Sequence, residues 1–462
     1  MASFAAIATE GLMRLARAFA GEGAELYVVG GAVRNTLLGL PINDIDICAR
    51  LRPERVEALC AELGFGAKAK GAAFGTLDIS ISGERYEYAC FRSEEYEVGG
   101  AHRPKRVAFS DSLEEDAFRR DFTVNAMYYN VLSGKVEDPT GGIRDLEAKL
   151  IRATSKDPAV ILRDDGLRIM RMARFASQLG FAIDPATLAA ARENAAGLAD
   201  IAPERIREEL DLLLLADARY GKGEASLFYG LEALHLAGAY EVILPELARC
   251  AGVAQRREYH AYDVLYHSLH AAACVPPELE LRLVMLLHDT GKPVCLFDHG
   301  NMHGHELIGA EIAREIMVRL RYPNALRETV CALVRWHMYD LNGVARERTI
   351  KKRMVQLGRE NAMRLCDIRE ADVHGSGIIK GEVQSAARWR GILEEMEKAN
   401  APFTENELAC TGLDIAEWLG IPPGPRIGEI KRALLLHCAC KPRDNTRERL
   451  RALTMDAGGG RK

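Results

Sequence analysis

The sequence predicts an α+β protein, a small mixed head followed by a long all-helical remainder. Three observations predict it. Strand-like runs are confined to roughly the first 140 residues, whereas beyond Ile143 nearly every stretch carries apolar residues at helical spacing. The third is length: 462 residues exceed one compact core at about 100–200 residues per domain.

The elements follow in order. Residues 1 to about 20 read as an amphipathic helix ending at Gly21, then an apolar strand Leu26–Val29 and a Gly30-Gly31 turn. Ala32–Leu40 is helical, and Ile42–Ile47 alternates as a strand with Asp44 and Asp46 on one face. Thr76–Ser82 and Arg85–Arg92 read as strands joined by the hairpin signal Ser82-Gly83-Glu84. After Asp138-Pro-Thr-Gly-Gly142 the chain is all-helical, with breaks near Pro203, Pro245, Pro276-Pro277, Pro323 and Pro422-Pro423. The expected division is a head 1–149, a neck 150–245, a body 246–380 and a tail 381–462.

Composition narrows the class. With 48% hydrophobic and 27% charged residues, disorder and collagen are excluded. Lys+Arg 61 against Asp+Glu 66 gives net charge −5, so a polyanionic partner must be held by local basic patches. The longest apolar runs, such as Leu212–Ala216 and Leu283–Leu287, fall far short of the roughly 18 residues that cross a bilayer, so no membrane partner is expected. The N-terminus lacks the positive region of a signal peptide, which points to the cytosol. Eleven cysteines without a CxxC pair, many in apolar company, suit reduced core thiols rather than a disulfide framework.

Two carboxylates two apart on a strand point to one side and together hold one or two Mg²⁺; Asp44 and Asp46 have this spacing. Taken alone, such a pair is better explained as a solvated strand end. Upstream, however, Gly30-Gly31 opens a helix with bare backbone N–H groups where a triphosphate docks. Glu87 lies between Tyr86 and Tyr88, where a lone charge is costly, and is the expected third carboxylate.

The run Val29-Gly-Gly-Ala-Val-Arg-Asn-Thr-Leu-Leu-Gly39 with Asp44-Ile-Asp46 resembles the class II tRNA nucleotidyltransferases, the family of CCA-adding enzymes and bacterial poly(A) polymerases. The resemblance continues through Glu114–Ala126, Asp138–Gly142, Leu162–Arg168 with Arg171, Arg174 and Phe175, and Glu204–Leu210. It implies a polymerase-β-like head in which Asp44 and Asp46 hold the metals, Arg120 and Asp121 engage the nucleotide sugar, and Asn125 supports that site. Arg34 and Arg120 would add positive charge near the phosphates, as two-metal nucleotidyl transfer requires.

In Asp164-Asp165-Gly-Leu-Arg168, positions 165 and 168 are i and i+3 and share a face if helical. A carboxylate accepts where a guanidinium donates. Cytosine and adenine both present an amino donor beside a ring-nitrogen acceptor; uracil and guanine present the reverse. Asp165 and Arg168 would therefore accept CTP and ATP and leave polar groups unpaired against UTP and GTP, at about 1–3 kcal/mol per buried group. A surface ion pair is the alternative. The family usually has Glu at the position of Asp164. Phe91–Arg106 looks like the family's flexible loop, associated with the switch to adding A.

Tyr259–His267 and Leu286–Pro293 resemble an HD domain, a helical metal-dependent phosphohydrolase fold. That resemblance implies His267, His288, Asp289 and Asp372 as ligands of Mn, Ni, Fe or Zn, with His303, His305 and His337 within reach. The alternative is that the domain serves only as a scaffold for tRNA. Arg346–Arg353, with Arg359, is a phosphate-backbone patch or a solvated helix face. The reading is a tRNA nucleotidyltransferase that adds or repairs the 3′-terminal CCA from CTP and ATP without a nucleic-acid template. The alternatives are a poly(A) polymerase of the same family, or an HD phosphohydrolase whose head binds nucleotide.

Overall fold

In the computed structural model of the chain the described residues are 4–71, 75–95 and 106–459. They form two compact units, Met1–Pro245 and Glu246–Lys462. The strands of the first are β1 (Tyr27–Val29), β2 (Ile45–Ala49), β3 (Gly66–Gly71), β4 (Thr76–Ile81), β5 (Glu84–Cys90), β6 (Arg92–Glu95), β7 (Arg106–Phe109), β8 (Tyr128–Asn130) and β9 (Val136–Glu137). Seven of them make one sheet in the order β3-β4-β5-β2-β1-β8-β9, and β6 and β7 pair separately. Within the seven-stranded sheet, among the described residues, only β2 and β5 pair in parallel.

The expected hairpin is present. Ser82 and Gly83 both have positive φ, 52° and 91°, the twist that suits a two-residue turn. Leu77, Ile79 and Ile81 of β4 and Tyr86, Tyr88 and Cys90 of β5 are buried, while Asp78 and Glu87 lie exposed on the other face. The core face is covered by α1 (Glu10–Gly21), which buries Leu12, Leu15, Ala16 and Phe19, and by α3 (Pro53–Leu63), which buries Val56, Leu59 and Cys60. Between them in sequence lies α2 (Gly31–Leu38). Each fully buried Leu or Phe contributes about 1.5–3 kcal/mol.

Three expectations need correction. The first helix starts at Glu10, because the Thr9 hydroxyl accepts from the Leu12 N–H at 3.2 Å and caps it; residues Phe4–Ala6 form a separate 3₁₀ turn. The strand expected over Ile42–Ile47 runs Ile45–Ala49, so Asp44 lies just before it and Asp46 within it. The partner strand β1 ends at Val29, opposite Asp46, and Gly30, with φ 76° and ψ −135°, turns the chain away, so nothing on that side pairs beyond it. The region after Ile143 is not purely helical: β10 (Leu150–Ile151) and β11 (Ala182–Ile183) pair in parallel.

The remaining helices of the first unit include α4 (Leu113–Phe118), α5 (Gly142–Glu147), α6 (Pro158–Asp164), α7 (Leu167–Leu179), α8 (Pro185–Glu193) and α9 (Pro203–Leu214). A Cβ on Gly166, between α6 and α7, would lie 2.7 Å from the Gly197 carbonyl carbon, so the backbones meet there only because residue 166 is glycine.

The second unit is helical. Its helices Val264–Cys274, Leu279–Leu287, His305–Arg319, Asn324–Trp336 and Arg359–Gly375 surround a histidine-rich centre. Glycines set their approach: a Cβ on Gly375 would fall 2.6 Å from Ala271 Cα, and one on Gly291 would fall 2.2 Å from the His305 carbonyl oxygen. In the basic stretch, Arg353 stacks on Trp336 with its guanidinium carbon 3.3 Å from the ring centroid, and Arg359 pairs with Glu397 at 3.2 Å. All eleven cysteines are free thiols. Among the described residues no helix is long and apolar enough to cross a membrane.

Gly166→Ala is expected to destabilise the first unit by about 1–3 kcal/mol, the usual cost of overpacking rigid backbone. Urea denaturation should show a lowered midpoint; an unchanged midpoint would mean the contact relaxes freely.

Candidate functional site

The first unit carries a cleft of about 840 Å³ lined, among the described residues, by nine arginines and five carboxylates. Gly30 and Gly31 open α2 at one side, and a Cβ on Gly30 would sit 3.7 Å from Asp46 Oδ2. Bare N–H groups at a helix start therefore stand beside a carboxylate, which suits a phosphate chain and its cation together.

Arg34 is 4% exposed, and its hydrogen bonds go to amide oxygens: Nη1 donates to Asn125 Oδ1 at 2.6 Å, Nε and Nη2 to Asn35 Oδ1 at 3.1 and 2.9 Å. Burial pushes this guanidinium down to about 10, yet it remains charged at neutral pH. A buried cation held by neutral amides attracts an anion. Arg120 is differently placed. It lines the cleft, but pairs with the buried Asp116 at 2.9 Å and donates to the Tyr128 hydroxyl at 2.9 Å, and Arg119 shares the same carboxylate at 2.6 Å. Much of its charge is thus already answered.

Asp121 is 7% exposed and fully engaged. Its Oδ1 accepts from the Phe122 N–H (2.8 Å) and Asn125 Nδ2 (3.1 Å), and its Oδ2 from Arg171 Nη2 (2.6 Å). Burial works against its charge, but Arg171 and these donors outweigh burial and hold it down to about 2. Arg174 donates to Glu209 Oε2 at 2.6 Å and lies over the Phe175 ring at 4.2 Å, a ring also flanked by Arg34 and Arg171 at 5.2 Å each.

The pair expected to select the base, Asp165 and Arg168, departs from its expected geometry. Asp165 is not on a helix with Arg168: α6 ends at Asp164, Asp165 is extended, and its Oδ1 accepts from the Leu167 N–H at 3.0 Å. The break falls at Asp165, whose backbone is extended (φ −143°, ψ 103°), while Gly166 is helical and precedes α7, with Arg168 in its first turn. Both nevertheless line the cleft. Arg168 donates to the carbonyls of Ile161 at 2.9 Å and Arg119 at 2.8 Å, which fixes its direction. Arg168, Arg171, Phe175 and Gln178 recur at helical spacing, so one face of α7 supplies the wall.

Asp44, Glu87 and Asp164 are not among the lining residues. Glu87 is exposed, not buried among apolar groups; what links it to Asp46 is register, the two being opposite on the parallel strands β5 and β2. Among the described residues Asp44, Asp46 and Glu87 do not gather their oxygens into one tight cluster. Their hard carboxylate oxygens fit Mg²⁺ by chemistry. Most of the loop expected at Phe91–Arg106 lies outside the described residues, apart from the pairing of β6 with β7. Sequence reasoning missed Arg92, Arg119, Arg205, Glu209 and Arg219 as lining residues. For Glu209 a signal existed: it is a carboxylate on the apolar face of α9, four residues after Arg205.

The expected ligands of the second unit do converge. His267 Nε2 lies 3.1 Å from Asp372 Oδ1 and 3.2 Å from His288 Nε2, and His288 Nε2 lies 3.2 Å from Asp289 Oδ2. His267, His288 and Asp289 are all but completely buried, and His267 Nδ1 and Asp289 Oδ1 have no hydrogen-bond partner. Such a donor set fits a divalent cation of the Mn, Fe, Ni or Zn kind. The site residues explain their own charge states. Burial disfavours a charged His288, but Asp289 outweighs it and raises the imidazole to about 9. Burial together with His288 and His305 presses His337 down to about 3.

A triphosphate cradle beside a strand carboxylate, walled by arginines, and a histidine–aspartate centre on helices define a nucleotidyltransferase head followed by an HD metal domain. Comparison with known proteins agrees: residues 26–152 match the Poly A polymerase head domain, 180–250 the family described as probable RNA and SrmB-binding site of polymerase A, and 257–373 the HD domain. The A-adding tRNA nucleotidyltransferase of Deinococcus radiodurans is 33% identical over 88% of this chain and 90% of its own length. The multifunctional CCA protein of Xanthomonas campestris pv. campestris is also 33% identical, over 88% of this chain and 95% of its own. A crystal structure of the Bacillus stearothermophilus CCA-adding enzyme in complex with CTP superposes with a TM-score of 0.68 at 26% identity, covering 97% of both chains. The chain belongs to the class II family of CCA-adding tRNA nucleotidyltransferases and poly(A) polymerases, in its form with an HD domain.

Asp121 provides a pH test. Its folded pKa of about 2 lies below the usual 3.8, so its stabilisation is fully present above pH 4 or so and is lost as pH falls towards 2. Asp121→Asn should cost about 2 kcal/mol at pH 7 and much less at pH 2. Urea denaturation at the two pH values checks this; equal losses at both would show that Arg171 does not depend on the charge.

Proposed function

We propose that the first unit extends the 3′ end of tRNA with C, C and A, using CTP and ATP and no nucleic-acid template. The observation that carries it is the cleft, in which the glycine cradle, Asp46 and the pair Asp165 and Arg168 line one cavity. The triphosphate would lie against Gly30-Gly31 and Arg34, with Arg120 beyond it. Asp44 and Asp46, with Glu87 as the third carboxylate, would hold Mg²⁺, which would supply positive charge at the α-phosphate. Asp121 and Asn125 position the sugar through the Arg171 and Arg34 contacts. Asp165 accepts from the amino group of C or A while Arg168 donates to the ring nitrogen, with Asp164 behind the pair. Arg171 and Arg174 hold the wall against which the base stacks on Phe175.

The four parts 1–149, 150–245, 246–380 and 381–462 would serve as catalytic head, base-selecting neck, HD domain and C-terminal helical tail, the helical body gripping the tRNA. The second unit acts as a metal-dependent phosphohydrolase through His267, His288, Asp289 and Asp372. The working compartment is the cytosol, where tRNA matures. An A-only activity is the second reading, favoured by the A-adding relative from Deinococcus radiodurans.

Incubating the protein with tRNA transcripts ending before CCA or after CC, with CTP, ATP or both, separates these readings. CTP incorporation followed by one A is expected; addition of A alone to the CC transcript, with no use of CTP, would establish the second reading. Asp46→Ala should abolish incorporation. Asp165→Ala or Arg168→Ala should raise UTP and GTP misincorporation relative to CTP by about 10- to 100-fold, matching 1–3 kcal/mol of lost discrimination. Unchanged selectivity would place base choice elsewhere.

A further inference from the structure

Arg34 is held by amides, and what aims those amides lies one layer behind them. Its guanidinium donates to Asn125 Oδ1 at 2.6 Å and to Asn35 Oδ1 at 2.9 and 3.1 Å. An amide keeps its oxygen on a cation only if acceptors hold its NH₂ on the far side, because turned round it sets donor against donor. For Asn125 that acceptor is Asp121 Oδ1, 3.1 Å from Nδ2. For Asn35 there are two, since Nδ2 donates to the Pro41 carbonyl at 2.7 Å and to the Tyr220 hydroxyl at 2.7 Å. Asn35 is buried, so an NH₂ proton deprived of its acceptor there is costly.

Tyr220 comes to this place from far along the chain. It follows the short helix Ala216–Arg219 and stands 185 positions from Asn35. Its hydroxyl lies where several parts of the cleft meet. Gln178 of α7, whose Oε1 accepts from Arg174 Nη1 at 3.2 Å, stands beside it, and so does the Arg34 guanidinium. Arg219, the preceding residue, lines the cleft. Burial works against ionisation of the phenol, but the hydrogen bond from Asn35 and the charges of Arg34 and Arg219 outweigh it and hold Tyr220 below its ordinary value. An oxygen among so many donors serves as an acceptor. A phenylalanine ring would fill the same space and accept nothing.

We propose that Tyr220 is a positioning residue for nucleotide binding: by accepting from Asn35 it keeps the Asn35 oxygen on Arg34, and so aims Arg34 at the triphosphate. The inference rests on the reading of this cleft as the site of nucleotidyl transfer. Among the described residues, the hydrogen bonds of Asp165 and Arg168 go to groups other than Tyr220. The effect of Tyr220 therefore falls on the phosphate end of the nucleotide and leaves the choice of base alone.

Nucleotide binding measures this directly. Titration calorimetry with CTP and with ATP, in the presence of Mg²⁺, is run on the full-length chain and on Tyr220→Phe. The variant is expected to weaken both nucleotides alike by about 3- to 10-fold, the size of one lost hydrogen bond. In assays on truncated tRNA it should raise the KM for both nucleotides, with kcat, the KM for tRNA and the preference for CTP over UTP unchanged. Loss of general stability would not produce that split. In an Arg34→Ala background, itself weaker for CTP, Tyr220→Phe should cost no further affinity, because the two residues act in series. Asn35→Ala, which removes the amide that Tyr220 holds, should weaken CTP at least as much and serves if Tyr220→Phe lowers the urea midpoint. CTP affinity unchanged in Tyr220→Phe, in Asn35→Ala or in Arg34→Ala, or an undiminished further loss on combining Tyr220→Phe with Arg34→Ala, would overturn the proposal. A parent chain that binds neither CTP nor ATP would overturn the nucleotidyl-transfer reading beneath it.

Discussion

Crowding guanidinium groups around one cleft is electrostatically unfavourable, and the first unit is arranged to contain that repulsion. Three buried acids do so. Asp116 holds Arg119 and Arg120, Asp121 holds Arg171, and Glu209 holds Arg174 with Arg171 3.5 Å away. These acids are few, so positive charge is left over. It is carried by Arg34 and Arg168, whose partners are amide and backbone oxygens. The acids give the wall its rigidity, and the neutral partners preserve its attraction for phosphate.

The second unit solves the opposite problem, gathering carboxylates and imidazoles that water would otherwise keep apart. It does so through close backbone approach. Gly375 lies against Ala271, which brings Asp372, one turn earlier, level with His267, one turn before Ala271. Gly291 lies against the first turn of the helix that carries His305. Asp263 caps the helix of His267 by accepting from the Tyr266 N–H at 2.8 Å, so the imidazole projects from an ordered first turn.

Much of this was legible in the sequence because the signals are local. The hairpin at Ser82-Gly83, the alternation of β4 and β5, the glycine turn at Gly30 and the adjacent His288-Asp289 each express their physics within a few residues. Convergence over distance was less legible. That Glu209 anchors Arg174, or that His305 and His337 face each other, depends on which helix faces pack together. The errors were also physical. Asp165 was read as helical because periodicity continues across it, whereas its backbone is extended and separates two helices. Glu87 was read as buried because its neighbours are aromatic, yet alternation along β5 turns it outward while Tyr86 and Tyr88 turn in.

Arg168 is steered by the main-chain oxygens of Ile161 and Arg119, not by their side chains. Replacing either residue leaves those oxygens in place as long as the backbone keeps its path. The orientation of this guanidinium is therefore buffered against genetic drift at both positions, and descendants of this chain can vary there while Arg168 keeps its direction into the cleft.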